Sequence, residues 1–469
     1  MTEASRQADL IVTGIDWLIT VDPTRRIIRD AAVAVVDGGF AAIGKSAEIA
    51  AAWQSDEILD GSGMVGTPGF VDNHLHSSFQ MARGLADEAN AQSFLFDHMY
   101  PYEGAMERDD VYVSSCLTAM EMLRHGVTCF IDPGNYHPAA TVEAIGASGM
   151  RMVIARSSFD RTKSVMGILP EAMIETTDEC LEQTVALLEA YDGAHDGRIS
   201  VSASFRGLNN ASDELITGLK ALADERGTLL QTHACFSYST HDGCLAAFGV
   251  PEIERLENLG VLDERMLLVH SGWLEPHEIE IIVRRKPTLV ASPSSSMHNG
   301  YGNFVMGKLP ELMALGVNVS IGSDHACSGI TDMAQEMMLV AGGYKEVRIN
   351  PRVMPPEHVV EMATINGARG AGLADRIGSI EIGKEADLVL FDTSWPEWQP
   401  LYNPVSNLVY AATGNSIAHV FVRGDHVVRN GHLTRLDEER ILADVATTAG
   451  RIAGRLDMDR VVKLKWPVV

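Results

Sequence analysis

His74-Leu-His76, at the end of the stretch PGFVDNHLH, sets two imidazoles two residues apart. Along an extended strand that spacing turns both rings to one face, so that one divalent ion can take both. The triplet alone carries little, because histidines so spaced often occur by chance. Three further residues of the same chemistry close or follow other apolar runs: His233 ends LLQTH, His270 ends LLVH, and Asp324 follows VSIGS. Taken singly, a histidine at a strand end is usually a hydrogen-bonded polar residue, and an aspartate after a strand is usually a helix N-cap. Taken together, neutral imidazoles and a carboxylate suit one borderline-soft divalent ion, zinc before iron, cobalt or nickel. Such an ion lowers the pKa of bound water and yields a hydroxide nucleophile near neutral pH.

These residues need a scaffold that brings strand ends together. From Gly69 onward, short apolar or β-branched runs alternate with helical patterns, the signature of repeated βα units and a parallel sheet. The runs are 69–73, 126–132, 151–157, 198–204, 228–233, 266–270, 288–292 and 317–322, eight in all. Eight is the number that closes a (β/α)₈ TIM barrel, whose sites form at the C-terminal ends of its strands. Helices are expected over 109–125, 213–226, 276–285 and 357–372, with Gly126, Gly227 and Gly316 where a helix should stop. The flanks read differently. Residues 9–63 and 378–430 hold short alternating strands broken by DGG, NG and RGD, and are expected to form one small β-sandwich from both termini. The expected division is thus 1–64 and 375–430 for the two parts of the sandwich, 65–374 for the metal-binding barrel, and 431–469 for a C-terminal helix and tail. That helix, over 438–455, would turn Ile441, Leu442 and Val445 to one face.

The whole chain narrows the partners. Its 469 residues, 46% hydrophobic and 21% charged, have the balance of a globular enzyme. A net charge of −26, from 37 basic and 63 acidic residues, argues against a nucleic acid, whose phosphates call for lysine and arginine. The six cysteines are scattered, without a CxxC pair, which fits a reducing cytoplasm. MTEASRQADL has no basic segment leading into an apolar one, and no later stretch approaches the ~20 apolar residues of a membrane span. Neither secretion nor membrane insertion is expected.

PGFVDNHLH, GVTCFID, QTHA, LLVHSGWL, SPSSSMHNGYG, GSDHACS, MATINGARGAGL and GSIEIGKEADLVLFD together resemble the amidohydrolase superfamily, over nearly the whole chain. Within it the chain looks most like the branch of triazine hydrolases, atrazine chlorohydrolase among them, and S-adenosylhomocysteine deaminase. The resemblance implies a metal-dependent hydrolase of non-peptide carbon–nitrogen bonds, acting on a small molecule and water. It also implies His74, His76, His233 and Asp324 as ligands of one metal ion, His270 beside the metal-bound water, and Asp324 as the group that takes that water's proton. Binuclear relatives use a carbamylated lysine on the fourth strand. RISVSASFRG has no lysine, so one ion is expected. Homo-oligomers are common in the family.

One departure weighs on the substrate. Deaminases and triazine hydrolases of this branch usually carry a glutamate three residues after the fifth-strand histidine, where it shuttles a proton to the ring nitrogen; here Phe236 stands there. Attack on an aromatic heterocycle builds negative charge on that nitrogen, and phenylalanine cannot supply a proton. A urea, carbamate, thiocarbamate or amide places the charge on a carbonyl oxygen instead, which the metal and His270 can stabilise. Cleavage of such a substrate is therefore the leading expectation. The alternatives are an aminohydrolase of a triazine, purine or pterin, with His325, His298 or a water replacing the glutamate, and a non-catalytic relative. Complete retention of the histidines and Asp324 speaks against the last. Expected pocket residues are Phe236, Trp273, Ser296, His298, His325 and Met99, although strand alternation would turn His325 away from the side that Asp324 faces.

Overall fold

The computed structural model describes residues 6–164, 166–329, 331–457, 462 and 464–468. Residues 1–5 of the N-terminal flank, and 458–461, 463 and 469 of the expected tail, lie outside the described residues.

Each of the eight apolar runs contains a strand: β1 (Phe70–Asp72), β2 (Val127–Asn135), β3 (Arg151–Arg156), β4 (Ile199–Val201 and Ala203–Gly207), β5 (Leu230–Ala234), β6 (Met266–His270), β7 (Thr288–Ala291) and β8 (Val319–Ile321). All neighbouring pairs are parallel and follow chain order. Between the two parts of β4, Ser202 N donates to Ile154 O of β3, and Ala203 N to Leu229 O beside β5, so β4 is bonded on both sides. Beyond β1 and β8, Asn73 N donates to Ile321 O, Asp324 N to His74 O and His76 N to Asp324 O, at 2.7–2.9 Å. These bonds join the last strand to the first and complete the ring of a (β/α)₈ barrel. Side chains divide with period two. Val71, Cys129, Ile131, Val153, Leu267, Val269 and Val290 gather in one cluster with Ala368, Leu373 and Ile377. Phe70, Phe130, Met152, Ile154, Leu268 and Leu289 belong to the larger cluster shared with the helices.

The expected helices form at Arg108–Arg124, Asp213–Arg226 and Pro276–Arg285. Gly126, Gly227 and Gly316 all take positive φ at the stops. The fourth divides into Pro356–Met362 and Ile365–Gly370. The cause is distant in sequence: Val71 N of β1 takes the Ala363 carbonyl, and the backbone at Thr364 leaves the helical region.

Both flanks join one nine-stranded mixed sheet, in which Met64–Pro68 pairs with Leu10–Ile19 on one side and with Leu388–Asp392 on the other. The sheet curls on itself, for Phe40 N donates to Lys384 O and Gly383 N to Phe40 O. The curl encloses Val12, Ile15, Leu18, Val33, Phe40, Leu388, Leu390 and Phe421, as the two layers of a sandwich would. Arg151 of β3 ties the barrel to this sheet: its Nη1 donates to Asp387 Oδ2 at 2.6 Å and its Nη2 to Glu385, with Arg151 1% and Asp387 2% exposed. The last helix, Glu438–Arg455, buries Ile441, Thr448 and Ile452, while Leu442 faces solvent, contrary to the expected face. Among the described residues no helix is long and apolar enough to cross a membrane.

Candidate metal centre and substrate cavity

The C-terminal ends of β1, β5, β6 and β8 meet at one point. His233 Nε2 lies 3.1 Å from His74 Nε2 and 3.2 Å from His76 Nε2. Asp324 Oδ1 lies 3.2 Å from His74 Nε2 and 3.7 Å from His76 Nε2. Ligand atoms set tetrahedrally at ~2.1 Å from one ion stand about 3.4 Å apart, so these separations fit a single four-coordinate ion. His270 comes next, its Nε2 3.8 Å from the other oxygen, Asp324 Oδ2. One atom each of His74, His233, His270 and Asp324 also falls within 4.8 Å of the others, so the cluster can hold a metal whichever histidine completes it.

The backbone fixes this convergence. Asp72 Oδ1 accepts from His74 N, and its two oxygens accept from Ser323 N and Oγ, stapling β1 to the exit of β8. A Cβ on Gly322 would stand 2.7 Å from His74 Cβ, so only glycine lets the two strands pass. His233 Nδ1 donates to Arg206 O at 2.6 Å. A carbonyl only accepts, so the proton sits on Nδ1 and leaves Nε2 as a lone pair, the usual arrangement behind a metal-bound histidine. Burial holds His76 and His233 well below the usual imidazole range, with Arg206 and His74 nearby adding to the effect. Burial pushes His270 down to about 3 against the pull of Asp324. For Asp324, burial favours the neutral acid, but the imidazoles of His325, His74 and His270 outweigh it and hold the carboxyl well below its ordinary value. Burial thus disfavours the cationic form of His76, His233 and His270, and a divalent cation needs a lone pair from each histidine that binds it.

A cavity opens over the cluster, with His76, His233, His270 and Asp324 on its lining. Phe94, Phe96, Tyr100, Phe159, Phe236 and Tyr301 wall it. Phe236 packs against both His270 and Tyr301, its ring centroid 5.4 Å from each, and those two rings lie 5.8 Å from one another. His325 also lines the cavity, because Asp324 has φ 67°, in the left-handed region, and alternation breaks there. Its ring lies against Phe94, with centroids 4.5 Å apart. Ser295 Oγ donates to Asp324 Oδ2 at 2.5 Å and stands 3.2 Å from His325 Nε2, linking the two.

Four expected pocket residues lie off this wall. Met99 is fully buried against the Cys327 thiol. Trp273 braces the wall from behind, its Nε1 donating to Tyr301 O at 2.8 Å. Ser296 Oγ accepts from Asn303 N in a small recess behind His270. His298 sits half-buried 3.7 Å from Asp87. Conversely, Ser295, Tyr301, Arg206, Asn209 and Glu252 were not expected at the site. Ser295 lies inside the quoted SPSSSMH stretch and Arg206 inside RISVSASFRG, but no spacing rule marks either one.

The resemblances to known proteins agree with this architecture. The chain is 30% identical over 420 residues to the 5-methylthioadenosine/S-adenosylhomocysteine deaminase of Moorella thermoacetica, covering 89% of this chain and 94% of that one. An adenosine deaminase from Xanthomonas campestris, solved with bound zinc, superposes with a TM-score of 0.90 at 26% identity, over 96% of this chain and all of the other. Atrazine chlorohydrolase from Arthrobacter aurescens TC1, complexed with zinc, shares the fold with a TM-score of 0.84 at 20% identity, over 94% and 100% of the two chains. Residues 65–427, which carry every member of the strand-end cluster, match the amidohydrolase family. The chain belongs to that family, as a hydrolase of carbon–nitrogen bonds.

Proposed function

We propose that the chain is a zinc-dependent aminohydrolase that removes an amino group from a flat N-heterocycle of purine or triazine type. The observation that carries this reading is the aromatic-walled cavity directly over the His/Asp cluster, which suits a planar ring. Deaminases of adenine nucleosides among the relatives support it. His74, His76, His233 and Asp324 are the proposed ligands. The ion, when bound, supplies Lewis-acid activation of water.

The remaining work falls to the chain. Asp324, ionised at neutral pH, takes the proton of the attacking water. His270, neutral and beside Asp324 Oδ2, orients that water. Ser295, bonded to Asp324 and next to His325 Nε2, offers a relay from the carboxyl to the ring of His325. His325 lines the cavity and can give a proton to the substrate's ring nitrogen, the task that a glutamate at position 236 usually performs in this branch. The aromatic walls exclude bulk water, which strengthens these short-range interactions.

Phe236 favours a second reading, cleavage of an aryl urea or carbamate, which needs no ring protonation. A screen of the zinc-loaded protein separates the two. Ammonia release from 5′-deoxyadenosine, guanine or melamine is the expected result. Amine release from aryl ureas or carbamates, with no ammonia from any heterocycle, would overturn the aminohydrolase reading in favour of the second.

A further inference from the structure

A buried ion pair beside the ligand cluster joins the end of β4 to the segment that follows β1. Arg206 Nη1 donates to Glu103 Oε1 at 3.1 Å and Oε2 at 2.8 Å, and to Ser157 Oγ at the exit of β3 at 3.0 Å. Glu103 lies in the short helix Tyr100–Gly104, and its Oε1 also accepts from Ser78 Oγ at 3.4 Å, in the turn that follows His76. Both side chains of the pair are 2% exposed. A buried ion pair often stabilises a fold no better than an apolar pair of the same volume, because desolvation offsets its attraction. Its place in the molecule is therefore the better guide to its use.

Arg206 meets two of the proposed ligands by separate routes. Its carbonyl accepts from His233 Nδ1 at 2.6 Å and so fixes the rotation of that ring. Its guanidinium carbon lies 5.3 Å from the centroid of Phe79, which packs in turn on His76 with centroids 5.0 Å apart and planes 30° from parallel. His76 Nδ1 has no hydrogen-bond partner among the described residues, so packing orients this ring. The rings of His76 and His233 are parallel to within 2°, their centroids 5.3 Å apart. The contacts close a circuit, from the Arg206 side chain through Phe79 and His76 to His233 and back to the Arg206 carbonyl. Glu103 anchors the side-chain end of it.

We infer that Arg206 and Glu103 are positioning residues for the metal centre, their ion pair holding His76 and His233 in the orientation that lets one ion take both. The inference rests on the ligand assignment made under the proposed function and is independent of the substrate. The test is the zinc affinity of the full chain, measured by competition with a chromogenic chelator. The visible spectrum of the cobalt-loaded protein gives a second reading, of ligand geometry. No substrate is present, so failure of the aminohydrolase reading would leave both readings untouched.

The double variant Glu103→Gln/Arg206→Met removes both charges together and leaves no buried ion unpaired. Its Kd for zinc should rise roughly 10–100-fold, with displaced cobalt bands, as when the support behind a metal ligand is lost. Phe79→Leu breaks the other route without changing any charge and should weaken zinc by a smaller factor. Arg206→Lys keeps the cation and should recover part of the loss. Arg151→Met is the control, since it breaks an equally buried pair at the opposite end of the barrel: it should lose stability while its Kd for zinc stays within about twofold. Should the double variant fail to fold, Phe79→Leu and Arg206→Lys decide the question. Unchanged zinc affinity and cobalt bands in the folded variants, or an equal loss in Arg151→Met, would overturn the positioning role. If His76→Ala weakens zinc binding and these variants do not, the positioning role alone falls. If His76→Ala binds zinc as tightly as the unmodified protein, the ligand assignment falls and the inference with it.

Discussion

In the proposed mechanism two side chains divide the proton work at the centre, and each can be removed separately. Asp324→Asn keeps the shape and loses the base, so kcat should fall by about 10²–10⁴ with an unchanged circular dichroism spectrum. Turnover at the unmodified rate would refute its role. His325→Asn should cut ammonia release from ring substrates by roughly 10²-fold and spare any cleavage of ureas, which need no ring protonation. Equal losses on both substrate types would show that His325 only shapes the cavity. The histidines at 74, 76, 233 and 270 were legible in the sequence because their chemistry and their place at run ends coincide. His325 was expected in the pocket even though strand alternation would turn it away; it lines the cavity because the backbone leaves the extended region at Asp324. Ser295 was illegible for another reason: its link between Asp324 and His325 exists only once the fold brings the three within reach.

At the scale of elements, the short helix Pro293–Asn299 after β7 is held to the helix Met333–Arg348 by Glu336, whose Oε2 accepts from Ser294 N at 3.2 Å. Burial raises the Glu336 carboxyl to about 8, with Ser294 pulling it back. A carboxyl raised on folding holds its proton more tightly in the folded state. Its contribution is therefore complete below the ordinary value of 4.5 and is lost as pH rises towards about 8. Glutamine has no such proton, and its carbonyl can still accept from Ser294. The stability of Glu336→Gln relative to the unmodified protein should therefore increase with pH across that window. Urea midpoints taken through the range check it, and a difference independent of pH would contradict it. The eight strands were legible because parallel strands buried on both faces read as unbroken apolar runs. The division of 357–372 was not, because a carbonyl claimed by Val71 from far along the chain interrupts that helix.

For the molecule as a whole, the joint between barrel and curled sheet turns on Arg151. Arg151→Met leaves the buried Asp387 without its cation, while Glu385 keeps Arg376, and should cost about 3–5 kcal/mol, read from denaturant unfolding. A loss below about 1 kcal/mol would mean that water reaches the joint. The pairing of the two flanks could be anticipated from their shared alternating pattern, whereas the curl could not, since it depends on which edge Phe40 meets. The same sheet bears on how the chain is made. Met64–Pro68 has one neighbour close at hand in Leu10–Ile19, but its other neighbour, Leu388–Asp392, emerges only after the whole barrel has been synthesised. At ~5–20 residues per second the open edge of that strand waits for tens of seconds on the ribosome. Through that interval the nascent N-terminal strands present unpaired backbone and the apolar face of Val12, Ile15 and Leu18, so this is the stage at which a chaperone has most to protect.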